Sequence, residues 1–180
     1  MKLSQMLVLI APLGLLMACS TAGVKNVEYT DFERSAEISR SFDDVWGHTL
    51  EWSAINSFPI EDTDKSSGII KLSGSGTVNQ NFFQSPVFQR NGAELDEGLV
   101  SCGEATGNIG LYGAKFTDLM ISAVIILRDL EEKTRVTVNL TGNAGVEVRN
   151  AYGVVSSSRN ICPSKGIFER QLFYDFAQGG

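Results

Sequence analysis

The chain has 180 residues with 15 basic and 21 acidic side chains, a formal charge of −6. That length suits one domain and is short for two, and the acidic balance argues against nucleic-acid partners and against a polybasic hold on anionic lipid, both of which need clustered Lys and Arg. A single histidine, His48, excludes a multi-histidine metal site.

Residues 1–18 differ in character from the rest. Lys2 is the one charge ahead of a mostly apolar run from Leu3 to Ala18, the layout of an export signal. A helix of this length falls short of the roughly 30 Å hydrocarbon core, and Pro12 and Gly14 weaken it further. The run closes on Leu16-Met17-Ala18-Cys19, which resembles the lipobox of bacterial lipoproteins. The resemblance implies attachment of diacylglycerol to the Cys19 thiol, cleavage just before Cys19 and a membrane-bound product. Ser20 in place of Asp after the cysteine implies the outer membrane; the domain is expected to face the periplasm. The alternative is an ordinary signal peptide cleaved near Ala18 or Ala22, leaving a soluble secreted protein.

Loss of residues 1–18 leaves 14 basic against 21 acidic side chains, and Cys102 and Cys162 as an even pair. In a chain facing an oxidising compartment these two are expected to form a disulfide. It would close a loop of about 60 residues and contribute roughly 4 kcal/mol in the chain-entropy model. Two buried free thiols are the alternative.

Residues 20–34 are polar with scattered apolar positions and no clear period. They read as a tether, so the expected organisation is a signal peptide over 1–18, a lipidated tether over 19–34 and one domain over 35–180. Ala36 to Phe42 reads as a first strand. At Ser41-Phe42-Asp43-Asp44 the period changes, with capping-box spacing and two acids in the first turn. A helix is expected from about Asp43 to Ser57, with Val45, Trp46, Thr49, Leu50, Ser53 and Ala54 on one face, ended by Phe58-Pro59. Ile60 to Thr63 and Ile69 to Leu72 form a hairpin through Asp64 to Gly68. A calcium loop starting at Asp62 is not expected, because the glycine falls one position late and Ser73 stands where the bidentate Glu belongs.

From Gly74 to Gly98 the period is lost. Phe82, Phe83 and Phe88 in this stretch either pack the loop down or form a partner-binding patch. The glycines at 103, 107, 110 and 113 read as bends. Leu119 to Arg128 is apolar on much of both faces and should be a central strand, paired across Glu131-Glu132-Lys133 with a half-buried strand from Arg135 to Leu140. A polar stretch through Ser156, Ser157 and Ser158 leads to Cys162-Pro163, and a last helix runs from about Ser164 to Ala177 with Phe168, Leu172 and Phe176 in line.

This order implies an α+β fold, an antiparallel sheet with two helices packed on one face. Pro59, Ile60, Asp64, Gly68 and Ile70 within Ser41 to Gly68 are similar to a pattern in the helix-grip domains of BamC-like (NlpB-type) outer-membrane lipoproteins, and Cys162 to Glu169 looks similar to the ends of other small lipoproteins. The resemblance implies a helix-grip arrangement at the outer membrane.

No GxSxG elbow or HExxH run is present, and the acid pairs Asp43-Asp44 and Glu131-Glu132 are adjacent in sequence, as suits a helix start and a solvated turn. The expectation is a protein that is not an enzyme and needs no cofactor: a membrane-anchored envelope lipoprotein that acts as an interaction or assembly component, with another envelope protein as partner. The alternative is a periplasmic carrier of a lipid or small hydrophobic ligand in a sheet-helix cavity lined by Trp46 and the C-terminal Phe residues.

Overall fold

A computed structural model describes residues 21–76, 98–107, 114–149 and 153–178. Its frame is a pair of long antiparallel strands, here numbered in chain order as β6 (Lys115–Asp129) and β7 (Thr134–Arg149). Along β6, Leu119, Ile121, Ala123, Ile125 and Leu127 are buried while Met120, Ser122 and Arg128 are exposed. Period-two alternation thus gives the sheet one covered face. On β7 the buried set is Val136, Val138, Leu140, Ala144, Val146 and Val148.

Antiparallel neighbours extend this pair to six strands. The hairpin β3 (Ile60–Asp64) and β4 (Ile69–Gly76) adds on the β6 side, β4 pairing with β6 so that β6 is central, as expected. The other edge of β7 is shared by two strands. β2 (Ser35–Ile38) pairs with 134–137, and β8 (Val155–Pro163) pairs with 141–149. A separate antiparallel ribbon joins β1 (Ala22–Lys25) to β5 (Glu104–Gly107).

Two helices cover one half of the buried face. α1 (Phe42–Ile55) starts where the sequence places it: the Ser41 hydroxyl accepts the Asp44 amide at 3.2 Å and donates to the Asp44 carboxylate at 2.7 Å. It stops two residues before Ser57, which takes a left-handed φ of 57° while the Phe58 amide reaches back to the Ser53 carbonyl at 3.0 Å. That is a Schellman-type closure. Its buried face is Val45, Trp46, Thr49, Trp52 and Ser53, with Ala54 exposed, so Trp52 takes an inward place that the expected face did not include. α2 (Ile167–Gln178) buries Phe168, Leu172 and Phe176 as the four-residue spacing predicts. Trp52, Phe58 and Phe168 meet at centroid distances of 5.2 to 5.7 Å, and Trp52 Nε1 donates to Asp175 across the helix pair at 2.8 Å. The fold is the expected α+β class, with the β1–β5 ribbon added.

Several local expectations are corrected. The first strand ends at Ile38, because Phe42 is already the first residue of α1. The serine-rich stretch 155–163 is a strand; its alternate residues Ser156, Ser158 and Asn160 are only half-buried, so no apolar period announces it. The second face of β6 is not buried, and Met120 there is 51% exposed. The segment read as a tether carries β1 and is fastened along the domain. The Glu28 amide donates to Ser101 Oγ at 2.9 Å, the Arg34 carbonyl accepts the Val138 amide at 2.8 Å, and Phe32 covers Gly166.

Candidate functional site

One concave site among the described residues grows out of an irregularity in the β6–β7 ladder. Phe116 pairs with Val146 and Asp118 with Gly145, leaving Thr117 as an extra residue on β6. Such a bulge turns neighbouring side chains out of the regular alternation. Gly145 completes the arrangement, since a Cβ there would collide with Asp118 Oδ1 and Thr117 Oγ1. The missing side chain lets the carboxylate lie flat on the β7 backbone.

Asp118 then gathers its neighbours. Thr117 Oγ1 donates to Asp118 Oδ1 at 2.8 Å, and Arg159 of β8 donates to Oδ2 at 2.9 Å. The Thr117 hydroxyl, with the Arg159 guanidinium beside it, holds the Asp118 carboxyl below the usual range. A carboxylate so stabilised is a weak base at neutral pH, and it orients Thr117 more than it activates it. With Val146, Ser157 and Ser158, these residues line an open cleft of about 290 Å³. The cleft offers a guanidinium and several hydroxyls beside a carboxylate, a set suited to a polar or ionic group of a ligand. Sequence reasoning missed it. The available signal was Thr117-Asp118, two polar residues in succession where the alternation leading to Leu119 calls for one.

A second polar group lies in the core. Glu169 of α2 is fully buried, Ser164 Oγ donates to its Oε2 at 2.8 Å, and its Oε1 has no partner in hydrogen-bonding geometry. Burial raises its pKa, partly offset by its own amide, the Ser164 hydroxyl, the nearby Leu140 amide and the Arg34 charge. Leu140 falls between the β7 segments taken by β2 and β8. Glu169 therefore faces a gap in that edge, a structural position.

Of the residues singled out from the sequence, Cys102 and Cys162 are brought together. They form a disulfide with Cα atoms 4.6 Å apart, which ties the start of β5 to the end of β8. Cys19, Phe82, Phe83 and Phe88 lie outside the described residues. His48 is half-buried on α1, edge-on to Phe176 at 5.3 Å, and among the described residues its Nε2 has no hydrogen-bond partner. Phe42 and Trp46 stack at 6.0 Å, and Phe168 and Phe176 are buried among other rings. The residues named for a carrier cavity thus pack against neighbouring rings. Among the described residues no three His, Cys, Asp or Glu side chains come together as a metal site.

No family model matches the chain, and neither the curated proteins nor the solved structures include a significant match.

Proposed function

We propose that this chain is a lipid-anchored protein of a bacterial envelope whose α+β domain serves as an interaction or assembly component at the outer membrane, facing the periplasm, with another envelope protein as its partner and no catalytic role of its own. The observation that carries the reading is the buried Cys102–Cys162 disulfide in a chain that begins with an export-type segment ending in Leu16-Met17-Ala18-Cys19. A disulfide is at home in an oxidising compartment. The leader would deliver the chain there, and Cys19 would hold it at the membrane.

The domain's architecture fits a scaffold. Its covered face is filled by side chains from both helices and the inward-facing strand positions, and its single histidine is wedged against a helix partner. The Thr117-Asp118-Arg159 cleft is the natural place for a polar group of the partner. In vivo cross-linking followed by mild-detergent purification, with Cys19→Ser as the control, tests the reading. A stoichiometric envelope protein recovered with the wild-type chain and lost with the control supports it; recovery of the chain alone counts against it.

A further inference from the structure

We propose that one end of the sheet, where the β1–β5 ribbon meets the paired strands β7 and β8, is a lipid-contacting surface that holds the domain upright on the bilayer. This rests on the Cys19 anchor proposed above and adds where the domain meets the membrane.

Covalent reach limits where the anchor can lie. Only Ser20 and Thr21 separate Cys19 from Ala22, the first residue of β1. At about 3.6 Å per residue the two Cα atoms lie within roughly 11 Å of each other in any conformation. Ala22 is no loose end. It pairs with Gly107, and a Cβ at Gly107 would stand 2.5 Å from Val148 Cγ2. Val148 pairs with Ser156, and the next pair outward is Arg149 with Val155. A lipid on Cys19 therefore brings this end of the sheet, and no other, to the interface.

The surface found there suits that place. Val154 and Val155, where β8 begins, are 56% and 45% exposed. Lys115 and Arg149 flank them and share one acid, Glu147, at 3.7 and 3.8 Å, leaving the group net positive. At the opposite end Lys65, Lys71, Lys133 and Arg135 pair with Asp43, Asp62 and Glu37, which leaves Asp64, Asp129, Glu131 and Glu132 against Arg128 and the end net negative. At about 3.3 Å per residue, the length of β7 separates the two ends by roughly 50 Å. The basic, valine-bearing end faces anionic phosphates and the acidic end points away, so charge and reach agree on one orientation.

The test uses the full lipidated chain in vesicles of phosphatidylcholine and phosphatidylglycerol containing a spin-labelled lipid. Val154→Trp is compared with Glu132→Trp at the far end; the native Trp46 and Trp52 are buried and common to both. Val155→Trp reads the same surface should Val154→Trp fail to fold. The added tryptophan at position 154 or 155 should be quenched at least about twofold more than that at 132, because only the former sits within reach of the acyl boundary. Vesicle flotation is read on the same samples. Floating protein with equal quenching at both ends overturns the contact surface and leaves the anchor standing. Protein that does not float overturns the anchor, and the surface with it.

Discussion

The two halves of the covered face are held by different means. Over the first half, Trp52 of α1, Phe58 just after it and Phe168, Leu172 and Phe176 of α2 share one buried cluster with Val136, Val138, Leu140 and Ile125. Over the second, two strands of four residues each lie on Val146 and Val148, and the side chains they contribute are small: Ala22, Gly23, Val24, Ala105, Thr106 and Gly107. Where aromatic volume is available, burial alone supports the layer. Where it is thin, close backbone approach at Gly107 takes its place, and the Cys102–Cys162 disulfide, itself part of the helix-covered cluster, ties the ribbon to that cluster.

The two halves should therefore be fragile in different ways. Phe168→Ala removes a ring shared by Trp52 and Phe58 and should destabilise the domain by about 3–5 kcal/mol, read as a lower urea midpoint with an unchanged slope. Replacing both Cys102 and Cys162 by Ala should cost about 2–5 kcal/mol. Its signature differs from that of Phe168→Ala: amide exchange should open residues 22–25 and 104–107 first, with the helix-covered strands still protected. A uniform loss of protection would mean that the halves are one cooperative unit. Gly107→Ala drives a methyl into Val148 and should cost about 1–3 kcal/mol, again read first as ribbon exchange.

Glu169→Gln changes a slope and sharpens the contrast from the helix side. Burial raises the folded-state pKa of Glu169 above its unfolded value. The stability associated with its proton is then fully present below the unfolded pKa and is lost as pH rises through the folded one. The wild-type urea midpoint should therefore fall between pH 4 and neutrality by more than that of Glu169→Gln. The variant keeps an acceptor for Ser164, so it should equal or exceed the wild type near pH 7.

Legibility in the sequence followed the same division. The Ser41-Asp44 cap, the β3–β4 hairpin, the β6–β7 core alternation and the Phe168, Leu172, Phe176 stripe were readable because each is a local pattern with its own period. The cysteine pair was readable from parity. The ribbon was not, because four-residue strands containing Gly23 and Gly107 carry too little pattern to show that they pair across about 80 positions. β8 stayed hidden behind its serines. The cleft at Asp118 depends on a one-residue bulge meeting Gly145, a coincidence of register between two strands that neither strand displays alone. Glu169 shows the same limit: as a charged residue in the first turn of a helix it reads as solvated, yet tertiary packing buries it.

We propose that this disulfide-closed domain is fixed to a membrane through Cys19. Mass spectrometry of the protein extracted from its native envelope, digested without reduction, tests it most directly. The expected result is an amino-terminal peptide that begins at Cys19 and carries diacylglycerol on the thiol, together with a Cys102–Cys162 cross-linked peptide. A peptide that begins elsewhere, with an unmodified Cys19 or none, would contradict it.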